Sequence, residues 1–523
     1  VEMHKAAAWL CLSFCVAHGL VWPQPESFEA HGNPLPVSPS LSVAFDAEGQ
    51  NSPIARAAGD RYLALFQRLR DTDSVCDKTG ACLSTLQIRV QSNDETLNVD
   101  TSYAYSMQIS DSAATIWAAT PYGVAYALES FTQLLDDSKT RLVHSNIRLS
   151  DAPKYQWRGL MLDAGRRFFP TDVVQNLLDT MAIAKLNVLH LHASDMCRFA
   201  VESKIYPNLT AALVGDRGGF YTQEDIKNLI AYAKQRGIRI VPEFDLPGHC
   251  RGYLPLEAAG LEFCTTDDSR SQLADTSTNY KILHDLLGEM SELFEDDVFN
   301  IGADETRAKG VCTVNATFDL ERHMLDTIAS DFGKTPEGWE EILFDAGAAT
   351  NTTIVNAWAR HSAAEITATG RRAVESASSH FYFTSAAPGG PTGWSKCWYD
   401  IGTNVPASQE SLLLGGEMSM WTDTYCFEAQ CGASSGATPV GAALFPPSRD
   451  SEFGKSVGGM IWPRGFVGAG AFWSYNATVD PSSADFVAAV GKINALAQQR
   501  GSLVCPNGCS CDQLTACGKP YIS

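Results

Sequence analysis

Short apolar segments that each end in polar or aromatic side chains recur from Trp157 to Trp421, mostly with amphipathic segments between them. Apolar runs of this length predict buried parallel strands, and the segments between them have helical periodicity. Eight such runs predict an α/β fold whose main part is a (β/α)8 TIM barrel, with catalytic groups at the C-terminal ends of its strands. The predicted strands are Arg158–Leu162, Leu186–Leu191, Ile238–Phe244, Val298–Ala303, Lys334–Trp339, Thr352–Ala357, either Arg372–Glu375 or Phe381–Phe383, and Leu412–Met420.

A different pattern precedes the barrel. Ala55–Arg70 and Thr120–Leu135 have helical periodicity, and Leu86–Gln91 and Tyr105–Ser110 alternate as strands do. Residues 20 to about 45 are rich in Pro and Ser and predict an irregular lead-in. We therefore expect a small non-catalytic α+β domain over residues 20–150, the barrel over 151–500, and a cysteine-rich tail over 501–523.

Composition excludes some classes of partner. The chain has 523 residues, of which 45% are hydrophobic, so it can fill a large core. Its formal net charge of −21 argues against binding to nucleic acid or to an anionic membrane, because both require a basic surface.

Several features indicate the secretory pathway. An apolar run from Ala6 to Val16 follows His4 and Lys5 and is followed by small residues, which predicts a signal peptide over residues 1–19. Asn208, Asn315, Asn351 and Asn476 begin glycosylation sequons. The chain has 15 cysteines, and three plausible disulfide pairs are Cys76 with Cys82, Cys264 with Cys312, and Cys426 with Cys431. A cluster near the C-terminus predicts a disulfide-bonded tail: Cys505, Cys509, Cys511 and Cys517. Of Cys197, Cys250 and Cys397, at least one is expected to be free.

Two adjacent carboxylates, Asp304 and Glu305, end the predicted strand Val298–Ala303. Side chains alternate along a strand, so these two can share a pocket only if the strand stops there and the chain turns. Paired carboxyl groups at a barrel mouth suit glycoside hydrolysis. The alternative is a structural role, with Asp304 as the N-cap of a helix that begins near Thr306.

Several motifs occur in a fixed order along the chain: Val21-Trp22-Pro23-Gln24-Pro25, Arg158-Gly159-Leu160-Met161-Leu162-Asp163 with Arg166, Asn187-Val188-Leu189-His190-Leu191-His192, Pro242-Glu243-Phe244-Asp245 with Pro247-Gly248-His249, Asp304-Glu305, Gly415-Gly416-Glu417 with Trp421, and Trp462-Pro463-Arg464. Together they resemble the family 20 glycoside hydrolases, the β-N-acetylhexosaminidases, particularly the lysosomal and secreted eukaryotic type. The resemblance covers nearly the whole mature chain.

The resemblance implies a mechanism in which the substrate's own 2-acetamido oxygen attacks the anomeric carbon and forms an oxazolinium intermediate. Glu305 resembles the general acid and base, and Asp304 the residue that orients the acetamido group. Tyr382 would hydrogen-bond the acetamido oxygen. Asp195 and His249 resemble a pair that supports the acid, although they could be ordinary polar residues of the barrel rim.

Other positions resemble the sugar-binding residues of the family. Arg166 would hold the O3 and O4 hydroxyls with its planar donor fork. Trp339, Trp358 and Trp421 would wall the subsite, or could simply pack in the core. The resemblance also implies that the substrate is a glycan with terminal β-linked GlcNAc or GalNAc and that no cofactor or metal is needed. It implies a lysosomal, vacuolar or extracellular location for the mature protein. It further implies that a homodimer can form, as is usual in the family.

Three positions depart from the family pattern. Met196 follows Asp195 where the family usually has a second Asp, Thr384 replaces Asp or Asn, and Asp423 replaces Glu. Asp423 is one methylene shorter than Glu and must reach the sugar O4 or O6 from further back. These departures bear on sugar preference and affinity more than on reaction type.

Two other functions fit parts of the pattern. His190 and His192 lie two residues apart on one face of a strand, a spacing that barrel metallohydrolases use for a divalent metal. A homologue that binds sugars without turnover is the second alternative.

Overall fold

The computed structural model describes residues 21–71, 76, 82–110, 112–211, 213, 219–267, 270–383, 394–423 and 450–504. The predicted signal peptide, Thr384, Cys426, Cys431 and the four tail cysteines lie outside these residues. Among the described residues, we find no helix that is both long and apolar enough to span a membrane.

A seven-stranded sheet forms the N-terminal part of the molecule. Its strands are β1 (Ser27–His31), β2 (Leu35–Phe45), β3 (Leu83–Val90), β4 (Tyr105–Ser110), β5 (Ala113–Ala118), β6 (Arg141–Leu142) and β7 (Asn146–Asp151). They lie in the order β1-β7-β4-β5-β3-β2-β6, with β2, β3 and β5 mutually parallel and the other neighbours antiparallel. The helices Pro53–Leu69 and Pro121–Gln133 share the hydrophobic core of this sheet, and the short helix Ala47–Asn51 precedes them.

The irregular lead-in predicted for residues 20 to 45 is wrong, because β1 and most of β2 lie there. β1 pairs only with β7, more than a hundred residues away in sequence, and its side chains are exposed or half-buried. An edge strand with little apolar alternation is recognisable only from its partner. The prediction also missed β5 and β7.

Eight parallel strands close into the predicted barrel. They are β8 (Trp157–Asp163), β9 (Val188–Ser194), β10 (Arg239–Phe244), β11 (Val298–Asn300), β12 (Thr335–Trp339), β13 (Ile354–Ala357), β14 (Arg372–Glu375) and β15 (Leu413–Met420), and β15 pairs with β8 to complete the ring. The seventh strand is Arg372–Glu375 and not the Phe381–Phe383 alternative, whose first residue ends the helix Ser378–Phe381.

Helices surround the barrel. The predicted helices are present as Thr171–Ile183, Gln223–Lys234 and Ser277–Leu293, and the second begins with a capping box between Thr222 and Asp225. The remaining α-helices are Asn208–Ala211, Val314–Ser330, Glu341–Phe344, Ala363–Ala368, Ser378–Phe381, Asp450–Ile461, Arg464–Ser474 and Ala484–Gln499, and 3-10 helices span Cys250–Ala259, Trp394–Cys397 and Ala407–Leu412.

The interior of the barrel changes character along its axis. Near the N-terminal ends of the strands, an apolar layer is formed by Trp157, Val188, Val241, Val298, Ile354, Val374 and Leu414. Two residues further along β9 and β10, the buried side chains are His190 and Glu243. Glu417 of β15 is also fully buried. These three ionisable groups lie on the side of the apolar layer that leads to the barrel mouth.

Disulfide bonds confirm two of the predicted cysteine pairs, Cys76–Cys82 and Cys264–Cys312. Cys197 is also disulfide-bonded, whereas Cys250 and Cys397 are free and buried. The second bridge joins the segment after His249 to the loop after Glu305, and so braces the barrel mouth.

Candidate active site

A sharp turn after β11 places the two carboxylates at the barrel mouth. The strand ends at Asn300, three residues earlier than predicted, and Gly302, Ala303 and Glu305 have φ values of 66°, 65° and 53°. A β-carbon on Gly302 would lie 2.3 Å from Asp245 Oδ1, so this turn requires glycine. The predicted turn is thus present. The N-cap alternative is wrong, because the next helix begins at Val314 and is capped by Thr313.

His249 lies between these carboxylates and the barrel interior. Its Nε2 atom is 3.3 Å from Glu305 Oε2 and 3.8 Å from Asp304 Oδ2, and its Nδ1 atom is 3.3 Å from Asp195 Oδ1. Asp195 is fully buried, whereas 53% of the Glu305 side chain is exposed. One imidazole therefore links the outermost carboxyl group to a buried anion.

Arg166 lies beside this chain and contacts three carboxylates. Its Nη1 atom is 3.0 Å from Asp163 Oδ2 and 2.9 Å from Asp195 Oδ2, and its Nε atom is 3.4 Å from Asp423 Oδ1. The guanidinium also lies over the ring of Trp421, 5.1 Å from its centroid. Arg166 is thus fixed in place by charge and by stacking, and Asp423 reaches it despite its short side chain.

Aromatic rings complete the wall of the pocket. Trp421 lies 5.9 Å from Trp339 and 6.1 Å from Tyr382 between ring centroids, and Tyr382 stacks on Trp358 at 6.0 Å. The Trp358 indole donates a hydrogen bond to Glu341 Oε2 at 3.2 Å. Flat aromatic faces beside hydroxyl-binding groups suit the apolar face of a sugar ring.

The two carboxyl groups have pKa shifts of opposite sign. Burial raises the pKa of Asp304, and the charges of Glu243 and Glu305 add to this, against the effect of His249. The hydrogen bond from His249 lowers the pKa of Glu305. A proton on Glu305 and an anion at Asp304 would each be favoured by a pKa shift of the opposite sign.

The divalent-metal alternative meets an obstacle in the partners of the two strand histidines. His190 lies 2.8 Å from Glu417 and 3.0 Å from Glu243, and His192 lies 2.8 Å from Asp195 and also contacts Glu243. Although burial opposes the charge, these carboxylates raise the pKa of His190 to about 10 and that of His192 well above its usual range. A protonated imidazole has no lone pair for a metal.

In the part of the chain that the structure describes, three clusters bring potential metal ligands within 4.8 Å of one another: His192 with Glu243 and Asp245, Asp195 with Asp245 and His249, and His249 with Asp304 and Glu305. In each cluster a histidine lies among carboxylates. Attraction between the imidazole and the ionised carboxylates contributes to the close approach.

All ten residues predicted for the site converge at the C-terminal ends of the barrel strands. Asp304, Glu305, His249, Asp195, Arg166 and Asp423 form one chain of contacts, and Trp339, Trp358, Tyr382 and Trp421 line the same space. Their individual roles stay predictions.

Sequence reasoning gave no role to Glu243, Glu341, Asp163 or Glu417, which hold predicted site residues or their neighbours. These four residues could have been found in the sequence because each is an acidic residue in or beside an otherwise apolar strand.

Comparisons with known proteins agree with this geometry. The family model described as "Glycosyl hydrolase family 20, catalytic domain" matches residues 155–431, and a "beta-acetyl hexosaminidase like" model matches residues 21–134. β-Hexosaminidase subunit A2 of Dictyostelium discoideum is 30% identical over 435 residues, which is 77% of this chain and 78% of that protein. The chitooligosaccharidolytic β-N-acetylglucosaminidase of Bombyx mori is 29% identical over 317 residues, or 56% of this chain and 53% of that protein.

A solved structure, the chitobiase of Flavobacterium johnsoniae, superimposes with a TM-score of 0.72 at 25% identity, covering 93% of this chain and 73% of that one. The match thus extends over both the N-terminal sheet and the barrel. With the family model matching more than half of its length, the chain belongs to glycosyl hydrolase family 20, the β-N-acetylhexosaminidases.

Proposed function

We propose that this protein is a retaining exo-hydrolase that removes terminal β-linked N-acetylglucosamine, and also N-acetylgalactosamine, by substrate-assisted catalysis. The observation that carries the proposal is the arrangement of Asp304 and Glu305, two consecutive carboxylates that approach the same imidazole, that of His249. Because both side chains face the same pocket, they can act on two neighbouring groups of one sugar, the acetamido group and the leaving oxygen.

In the first step, Glu305 gives its proton to the glycosidic oxygen while the substrate's acetamido oxygen bonds to the anomeric carbon and the glycosidic bond breaks. The nitrogen of the resulting oxazolinium ring becomes positively charged, and the Asp304 carboxylate stabilises it. In the second step, Glu305 takes a proton from water, whose oxygen opens the ring at the anomeric carbon. Two displacements at that carbon retain its β configuration.

The pocket beside Asp304 supports this use of the acetamido group. Met161, Trp339 and Trp421, with the partly buried Trp358 and Tyr382, form an apolar cluster at the barrel mouth. Such a surface favours a methyl group, and the phenol of Tyr382 can donate a hydrogen bond to the acetamido oxygen. A sugar with a free hydroxyl in place of the acetamido group would leave this pocket unfilled.

Arg166 and Asp423 support an exo mode of action. Arg166 is only 7% exposed and is held by carboxylates on two sides, so its remaining donors suit the hydroxyls of a terminal sugar. The similarity to a chitooligosaccharidolytic β-N-acetylglucosaminidase and to a chitobiase supports chitooligosaccharides as one substrate class, and glycoconjugates with a terminal N-acetylhexosamine are the other class that we propose.

We also propose that the protein works in the secretory pathway, in a lysosome or vacuole or outside the cell. Disulfide bonds persist in oxidising compartments, and the bridges Cys76–Cys82 and Cys264–Cys312 are present here. Asn208, Asn315 and Asn351 of the predicted glycosylation sites are exposed.

The decisive test compares the wild type with Glu305→Gln on chromogenic β-GlcNAc and β-GalNAc substrates. Loss of the acid's proton is expected to lower kcat by about 100- to 10,000-fold. Glu365→Gln, which removes an exposed carboxylate outside the pocket, is the matched control and should keep wild-type rates. Full activity of Glu305→Gln would refute the assignment. A wild type that binds an oxazoline-like inhibitor but hydrolyses neither sugar would favour the sugar-binding alternative.

A further inference from the structure

Glu243 lies in the barrel interior, directly beneath the site, and does not line it. It belongs to β10, where its backbone is in register with His192 of β9 and Asn300 of β11. Its side chain is completely buried. A bound sugar therefore does not touch this carboxylate, and any effect of Glu243 on the reaction must act through other side chains.

Three side chains from two strands, β9 and β12, surround the Glu243 carboxylate. His192 Nδ1 forms a short contact with Oε2, and His190 Nε2 lies 3.0 Å from the same oxygen. The other oxygen, Oε1, accepts a hydrogen bond from Trp339 Nε1 at 2.9 Å. One carboxylate thus holds two imidazoles and the indole of a pocket tryptophan.

From His192 the contacts continue to the predicted acid. His192 Nε2 lies 2.8 Å from Asp195 Oδ2, Asp195 Oδ1 lies 3.3 Å from His249, and His249 lies 3.3 Å from Glu305. Carboxylates and imidazoles alternate along this chain, so each charged group has partners of opposite sign on both sides. A shift of one ring would displace the next.

The charge of Glu243 is maintained although burial disfavours it. His192 and His190 hold the pKa of Glu243 well below its ordinary value, and Glu243 in turn helps to raise the pKa of both histidines. Taking a carboxylate out of water costs several kcal/mol, and replacing a buried ion pair by apolar side chains is often neutral or stabilising. One step deeper in this barrel, the side chain of β10 that faces the interior is the apolar Val241.

We propose that Glu243 is a positioning residue for catalysis, which fixes the general acid through His192, Asp195 and His249 and fixes the sugar-binding wall through Trp339. This inference rests on the proposed function, since it assigns Glu243 a part in the protonation of the leaving oxygen by Glu305.

Comparing substrates with different leaving groups distinguishes two effects of a substitution at Glu243: a displaced general acid and a less stable protein. A nitrophenolate with two nitro groups departs without protonation, whereas the alcohol of a second sugar requires it. In Glu243→Gln, the amide oxygen can still accept the Trp339 hydrogen bond, but the amide nitrogen cannot accept from His192. Because kcat/KM reports the steps up to departure of the leaving group, it is compared on the two substrates. We expect kcat/KM on N,N′-diacetylchitobiose to fall by about 100-fold, as for a displacement of about 1 Å, and kcat/KM on the dinitrophenyl glycoside to fall less than about 5-fold.

Controls keep the test interpretable. Glu337→Gln changes another fully buried strand glutamate, on β12, whose pKa burial raises to about 8. Because Glu337 is already protonated at acidic pH, this variant should match the wild type on both substrates. If Glu243→Gln does not fold, as judged by circular dichroism, His192→Gln interrupts the same chain and should show the same dependence on leaving group.

Equal losses on the two substrates, or no loss on either, would overturn the inference for Glu243. A wild type that is inert on both substrates would instead refute the proposed function. Glu243→Asp, which keeps the charge but shortens the side chain, should recover part of the rate on the disaccharide. The absence of any recovery with a folded variant would count against a role for the charge.

Discussion

The hydrogen bond from His249 favours the ionised form of Glu305 in the ligand-free protein. Glu305 must be protonated to act as an acid, so kcat/KM falls as pH rises through its pKa in the free enzyme. A bound glycan would cover the exposed half of this side chain, and loss of water raises a carboxyl pKa. We therefore predict that the alkaline limb of kcat lies at higher pH than that of kcat/KM.

Initial rates on a chromogenic β-GlcNAc substrate from pH 3 to pH 8 measure both limbs. In Glu305→Gln, both alkaline limbs should disappear from the residual activity. Coincident limbs in the wild type, or a limb of kcat at lower pH, would show that substrate does not raise the pKa of the acid.

Single residues also show where prediction from sequence stops. Asp304, Glu305 and the tryptophans could be placed because each follows a recognisable strand. The contacts of Glu243 could not, since its partners His192 and Trp339 lie 51 and 96 residues away and meet only when the barrel closes. Likewise, the low pKa of Glu305 depends on the position of the His249 ring, which no sequence pattern specifies.

At the scale of elements, strands buried on both faces were predictable and half-exposed ones were not. The barrel strands are continuous apolar runs, and most of their observed bounds lie within two residues of the predicted ones. In the N-terminal sheet, β1 has no fully buried position and β5 alternates buried with exposed or half-buried positions over only six residues, so strand pairing decides their structure. The early end of β11 was missed because Ile301 and Ala303 continue its apolar run, whereas the backbone turns at Gly302.

That turn supports a prediction with a matched control. Gly302 and Gly333 have almost the same φ, 66° and 65°, but an added β-carbon meets Asp245 at 2.3 Å in the first case and nothing within 4 Å in the second. Gly333→Ala should therefore cost only the backbone strain, about 1–2 kcal/mol. Gly302→Ala should cost about 3 kcal/mol or more and lower kcat at least about 10-fold, since it displaces Asp304.

Urea unfolding followed by tryptophan fluorescence measures the two free energies, and kcat is measured on the folded variants. Gly333→Ala should keep the wild-type kcat. If the two substitutions lowered the free energy of unfolding equally, Asp245 would be able to move away from the added β-carbon at no cost. The turn would then not require glycine at position 302 for lack of space.

At the scale of the whole molecule, a buried ion pair joins the N-terminal sheet to the barrel. Lys185, which precedes β9, lies 2.8 Å from Asp151 at the end of β7, and Trp473 of a C-terminal helix donates to the other oxygen of Asp151 at 2.7 Å. Both charged side chains are completely buried. The Arg158 guanidinium lies beside them, over the rings of Tyr103 and Trp473.

Because these groups come from three separate parts of the chain, we predict that the sheet and the barrel unfold together, in one transition. Lys185→Met keeps the length of the side chain but leaves Asp151 without its counter-charge, which should lower the free energy of unfolding by about 3 kcal/mol. Lys281→Met, which removes an exposed partner of Asp285, should leave stability unchanged within measurement error. Calorimetry and urea titration measure both effects, and kcat of folded Lys185→Met should equal that of the wild type. Two separate transitions in the wild-type protein, or equal stability of the two variants, would mean that the buried ion pair does not couple the two parts and that the sheet folds independently of the barrel.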